Sequence, residues 1–218
     1  MIILSSIFFL FFLIREYVAY KRHLPLKYFF TPSLTLLLVV MMLLSMNIFG
    51  PDRYRIMITL SLLMALVADT LLMIEEGAQS LLKNGAVFFV IGHIFYLIAF
   101  ADNATFEPWN IVVIVILAAI NLIFFGILIM VKGKKAVATI LYIVILDLVV
   151  YFAIIRLNHQ FSLSGILAAS GVILFMISDF ILITNLYIKK IPKSTVFTWL
   201  FYAPAQYLIV LSTFTVFL

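Results

Sequence analysis

Long apolar runs without alternation recur along the whole chain, and the stretch from Ile111 to Val131 is the plainest of them. A spanning helix needs about 20 mostly apolar residues, whereas a membrane barrel strand alternates polar and apolar residues over about 10. The runs therefore predict membrane helices and exclude a barrel. Composition agrees, with 67% of the 218 residues hydrophobic and 11% charged, against roughly 45–50% and about 25% in a soluble domain. At about 27 residues per span with its loop, the 218 residues accommodate eight passes and no soluble domain. The expectation is a single all-α, polytopic integral-membrane domain over 1–218, so any chemistry sits among the helices.

The spans are expected at 2–20, 29–49, 55–75, 84–101, 109–131, 137–157, 163–187 and 195–217. Turns are expected at Gly50-Pro51-Asp52, Glu75-Glu76-Gly77, Lys132-Gly133-Lys134-Lys135 and Lys190-Ile191-Pro192-Lys193. The first run has no basic region before it and no small-residue cleavage site, so it is read as a helix and not as a signal peptide. Arg15 and Glu16 near its end are expected to snorkel toward the interface. Of the 14 basic residues, 11 fall in or beside loops that follow odd-numbered spans, leaving Arg53, Arg55 and Arg156 on the other side. By the positive-inside rule both termini then face away from the cytoplasm. The expected location is a bacterial cytoplasmic membrane. The net charge of +5 reflects these loops, and no nucleic-acid partner is expected.

Ala68-Asp69-Thr70-Leu71-Leu72-Met73 is similar to Ser178-Asp179-Phe180-Ile181-Leu182-Ile183, offset by 110 residues. Both stretches lie on spans running in the same direction, which predicts a parallel four-plus-four internal repeat.

An ionisable side chain inside a span costs about 2.5–3.5 kcal/mol and is a functional candidate by default. Asp69, His93, Asp147 and Asp179 qualify. Counted from the expected cytoplasmic ends, Asp69, His93 and Asp179 fall in one layer, on spans 3, 4 and 7. Tyr96 shares a face with His93, and Tyr202 shares one with Gln206. Pro204 interrupts the backbone hydrogen bonding of the last span, and Gly171 allows close helix approach. Each polar residue also has a plainer use as an interhelical hydrogen-bond partner. Asp147, at another depth beside Tyr142 and Tyr151, is read that way.

Known chemistries narrow quickly. With no cysteine, thiol nucleophiles, iron–sulfur clusters and zinc–cysteine sites are excluded. The three histidines, His23, His93 and His159, form no pair at helical ligand spacing, so no metal site and no cofactor is expected. No G-x-S-x-G elbow, phosphate loop or dinucleotide motif occurs. What remains is a pair of carboxylates in a low-dielectric layer. Such a pair can supply one acid and one base in the same pocket. That suits metal-free acid-catalysed hydrolysis, and it suits a proton-coupled carrier of a small solute or lipid.

Four stretches carry a family resemblance: Ala68–Leu72, Phe89–Tyr96, Phe175–Asp179 and Tyr202–Ile209. In order and spacing they resemble the aspartate, histidine–tyrosine, Ser-Asp and Tyr-x-x-x-Gln helices of the YhhN family of membrane lysoplasmalogenases. The family tends to carry Lys-Pro where this chain has Thr31-Pro32, with Lys27 one turn earlier, and Gly where it has Ala68. The resemblance implies hydrolysis of the vinyl-ether bond of a lysoplasmalogen to a fatty aldehyde and glycerophosphoethanolamine or glycerophosphocholine. The partners would be the lysophospholipid, water and membrane lipids. On this reading Asp69 and Asp179 are the catalytic pair, while His93, Tyr96, Ser178, Tyr202 and Gln206 orient substrate or water.

Overall fold

The computed structural model describes residues 1–74, 79–102, 104–159 and 162–215. Among the described residues there are eight α-helices and no strand: α1 Ile2–Tyr20, α2 Leu24–Phe49, α3 Arg53–Ile74, α4 Gln79–Phe100, α5 Asn110–Lys132, α6 Val137–His159, α7 Leu163–Ile183 and α8 Ser194–Ser212. Helices are what apolar runs must form in lipid, where every backbone N–H and C=O has to be satisfied within its own segment. Seven are long and apolar enough to cross a membrane, and α4 carries a shorter apolar stretch, Gly85–Phe100. The protein is an integral membrane protein of helical type. Its outward faces are hydrocarbon, with Leu122 78% and Met130 88% exposed on α5.

Helix α2 begins at Leu24, five residues before the expected start, because Pro25 sits in the first turn, where its missing N–H would have no helical partner anyway. Gly50 ends it at φ +82°, and Asp52 starts α3 by accepting from the backbone N–H of Arg55 at 2.7 Å. Gly133, at φ +55°, ends α5 before a short 3-10 turn, Gly133–Ala136. Helix α7 continues through a π-helical turn, Thr184–Ile188, which the expected turn at Lys190-Ile191-Pro192-Lys193 then follows. Helix α8 ends at Ser212, earlier than expected. The expected turn at Glu75-Glu76-Gly77 and the end of the last expected span lie outside the described residues.

Packing matches the expected repeat for the last three helices of each half, but not for the first: α1 packs far more extensively on α2 than α5 does on α6. The most extensive helix contacts are α3 with α4 and α7 with α8, followed by α2 with α3 and α6 with α7. The halves close on each other through α4 against α6 and α8 against α2. Small residues let the tightest pairs approach. A Cβ on Gly92 would lie 3.3 Å from the Ser61 carbonyl oxygen, and one on Gly171 only 2.8 Å from that of Ala205. Helix α5 lies outside this core, packed on α6 through Leu128 and Ile143.

At the end away from the lysine-rich turns, buried Arg55 ties the helices together. It donates to Ser45 Oγ at 3.1 Å and to the Thr213 carbonyl at 2.9 Å. One expectation fails near the opposite end. Arg15 does not snorkel: it is fully buried, because its guanidinium stacks 4.4 Å from the centre of the Trp199 ring on α8, a better environment than a lipid interface reached across an apolar face.

Candidate active site

Both aspartates of the repeat are buried, Asp69 at 3% and Asp179 at 5% exposure. Each is held by hydrogen-bonding side chains from its own half and faced by a helix of the other half. Asp69 Oδ2 accepts from Thr35 Oγ1 on α2 at 2.7 Å and from the Tyr202 hydroxyl on α8 at 3.1 Å. Asp179 Oδ2 accepts from the Tyr142 hydroxyl on α6 and lies 3.7 Å from His93 Nε2 on α4. The arrangement repeats: the preceding helix supplies one partner, and the last helix of the opposite half faces the carboxylate.

The two networks meet at the middle of the bundle. The Tyr96 hydroxyl on α4 donates to Gln206 Oε1 on α8. These residues are themselves 110 apart, the offset that relates the aspartates. On the expected repeat these positions are equivalent, and the bond between them then lies on the line that relates the two halves. Phe175 packs beside it, its ring centre 5.0 Å from that of His93 and 5.2 Å from that of Tyr202. Among the described residues no hydrogen bond joins the carboxylates directly, so a proton passing from one to the other needs a carrier.

A small cavity supplies the place for one. It is lined by Ser61, His93, Tyr96 and Gln206 with Phe89 and Phe175, and has room for about one water molecule. His93 Nδ1 lies 2.6 Å from the Phe89 carbonyl. A carbonyl only accepts, so Nδ1 carries the proton and neutral His93 presents a lone pair at Nε2. That atom and Gln206 Nε2 are both buried and make no hydrogen bond within the protein. With Ser61 Oγ, which is also buried and without a hydrogen bond, they give the cavity an acceptor, a donor and a hydroxyl that can be either, partners enough for one water.

Of the residues expected from sequence, Asp69, Asp179, His93, Tyr96, Tyr202 and Gln206 come together in this layer. Ser178 does not join them. Its hydroxyl donates to the Thr198 carbonyl at 3.0 Å and so clasps α7 to α8. Asp147 also stands apart, accepting from Asn121 Nδ2 on α5 at 2.6 Å. Thr35 and Tyr142 were not anticipated as carboxylate partners. Their one sequence signal was a polar atom on the helix preceding each aspartate.

A family model described as the YhhN family matches residues 26–213, which takes in every residue of this layer. No curated protein and no solved structure matches the chain.

Proposed function

The chain belongs to the YhhN family, and from that premise we propose that it is a membrane lysoplasmalogenase, hydrolysing the vinyl-ether bond of a lysoplasmalogen to a fatty aldehyde and a glycerophosphodiester. The observation that carries the reading is two buried carboxylates in one layer with a water-sized cavity, lined by His93 and Gln206, whose unbonded polar atoms are His93 Nε2, Gln206 Nε2 and Ser61 Oγ. Hydrolysis of a vinyl ether needs an acid, a base and one water, and nothing else.

The positions of the groups support the following assignment of steps. Asp69, whose Oδ2 is occupied by two donors, keeps Oδ1 for the proton it gives to the distal alkenyl carbon. The adjacent carbon becomes an oxocarbenium ion, stabilised by the carboxylate left behind. Water held by Gln206 Nε2 attacks that carbon and passes its proton to His93 Nε2, with Asp179 beside the ring to stabilise the charge. The hemiacetal loses its hydroxyl proton to the Asp69 carboxylate, its carbon–oxygen bond to glycerol breaks, and the glycerol oxygen takes the proton held by His93, which returns both groups to their starting states. Aldehyde leaves, and one water has been consumed.

The positive-inside split supports setting the lysine-rich end toward the cytoplasm of a bacterial inner membrane, with both termini opposite. A C-terminal reporter active only outside the cytoplasm is the expected result. The decisive assay is aldehyde release from lysoplasmalogen by purified protein in detergent with chelator present. Wild type is expected to turn over, and Asp69→Asn and Asp179→Asn to lose activity by about 100-fold or more. Full turnover by either folded variant would overturn its assigned role. No aldehyde from folded wild type would move the carboxylates to a proton-coupled carrier.

A further inference from the structure

One helical turn from Asp69 toward the lysine-rich end lies a second buried polar cluster that the mechanism does not use. Along α2, Lys27, Thr31 and Thr35 follow one another at single-turn spacing and are all buried. Thr35 holds Asp69, and Thr31 Oγ1 accepts from Arg15 Nε at 3.5 Å. Arg15 Nη1 lies 2.5 Å from Glu16 Oε1 and donates to the Thr195 carbonyl at 3.4 Å. The pair is incomplete. Arg15 Nη2, a donor, and Glu16 Oε2, an acceptor, are buried and make no hydrogen bond. Leaving a buried charged group short of partners is among the costlier defects a fold can carry, and here two of opposite polarity sit on adjacent residues. Both fall outside residues 26–213, so the family match does not account for them.

Resting on the lysoplasmalogenase reading, we propose that Arg15 and Glu16 form the substrate's headgroup subsite and select phosphoethanolamine. The phosphate accepts from Arg15 Nη2, with Lys27 adding positive charge. The ammonium donates to Glu16 Oε2. A phosphocholine headgroup brings the same phosphate but no N–H, and leaves Glu16 unsatisfied. Reach agrees with this placement. Six bonds separate the attacked vinyl-ether carbon from phosphorus, about 9 Å of contour at ~1.5 Å per bond and about 7 Å end to end once the chain zigzags at tetrahedral angles. Thr35 at Asp69 and Thr31 at Arg15 are separated by one turn, about 5.4 Å of rise. A substrate with its double bond at Asp69 therefore sets its phosphate at Arg15. Helix α1, which carries the pair, packs more on α2 than on α8, and the headgroup enters by parting α1 from α8.

The test measures kcat/KM for alkenyl-glycerophosphoethanolamine, alkenyl-glycerophosphocholine and phosphate-free alkenylglycerol, with wild type, Arg15→Gln, Arg15→Lys and Glu16→Gln. Because each readout is a ratio between substrates, it does not depend on how much protein is folded. Wild type is expected to prefer ethanolamine over choline by about 10-fold, and Glu16→Gln to bring the two within about 3-fold. Arg15→Gln is expected to reduce the preference for phosphate-bearing over phosphate-free substrate by about 10- to 100-fold. Arg15→Lys, which keeps the charge but not the fork, should fall between and carries the test if Arg15→Gln does not fold. Aldehyde from all three substrates at ratios unmoved by these variants would overturn the subsite and leave the activity standing. Inorganic phosphate competing with alkenylglycerol while the lipid ratios stay fixed would assign the cluster to a free anion and likewise overturn it. No aldehyde from any substrate would remove both.

Discussion

Alanine at Gly171 should damage catalysis and stability together. The new Cβ would lie 2.8 Å from the Ala205 carbonyl oxygen and 3.1 Å from the Ile209 backbone nitrogen. Both are backbone atoms of α8, so no side-chain rotation relieves the contact. Ordinary van der Waals separation needs α8 to retreat by about 0.5 Å. Overpacking of this kind costs about 1–3 kcal/mol, offset by about 0.5–1 kcal/mol from replacing a helical glycine. The net loss is about 1–2 kcal/mol, a fall in melting temperature of about 2–8 °C for a chain of this size. Helix α8 also carries Tyr202 and Gln206, so the same shift moves the Tyr202 bond to Asp69 and the Gln206 amide away from α4 and α7. Misplacement approaching 1 Å can cost about 100-fold in rate; about 10-fold is expected here. The comparison set is internal. At Gly85 the nearest atom is the Leu72 side chain at 3.0 Å, and at Gly126 nothing lies within 4 Å. Gly85→Ala should therefore be mild, and Gly126→Ala neutral or slightly stabilising. Thermal melts in detergent and aldehyde release would be read on all three. A Gly171→Ala protein as stable and active as Gly126→Ala would refute the helix-contact argument.

Other changes separate the site from its surroundings. Thr35→Val removes a 2.7 Å hydrogen bond to Asp69 and should lower kcat/KM by about 10-fold with little change in melting temperature; unchanged turnover would show that the bond is dispensable. Tyr96→Phe and Gln206→Leu remove two ends of one hydrogen bond, so their losses should be non-additive by about 1 kcal/mol or more in a double-mutant cycle, and strict additivity would count against the link. Ser178→Ala and Asp147→Asn should each leave aldehyde release within about 3-fold of wild type while lowering stability by about 1 kcal/mol; a 100-fold loss of rate would return either to the site.

The spans were legible because each is written in a run of some twenty adjacent residues, and lipid leaves the backbone one way to satisfy itself. The acidic layer was legible for a related reason: an aspartate in a hydrocarbon run stands out against everything around it. Side-chain direction was not. Ser178 precedes Asp179, but neighbours on a helix point about 100° apart, so a residue beside a candidate-site aspartate in sequence faces another helix in space. Arg15 met its partner, Trp199, from the far end of the chain, and no local pattern distinguishes an arginine that turns inward from one that reaches the interface. Thr35 and Tyr142 were hidden by the commonness of threonine and tyrosine in membrane helices.

The hydrogen bond from Tyr96 to Gln206 spans the line about which the halves of the bundle are related. Two copies of the same residue there would leave the halves interchangeable, and a long, thin ligand would have two equivalent ways to lie between them. A phenol facing an amide removes that degeneracy. Donor and acceptor are assigned, the two carboxylates inherit different neighbours, and a molecule with unlike ends has one direction in which to thread the protein.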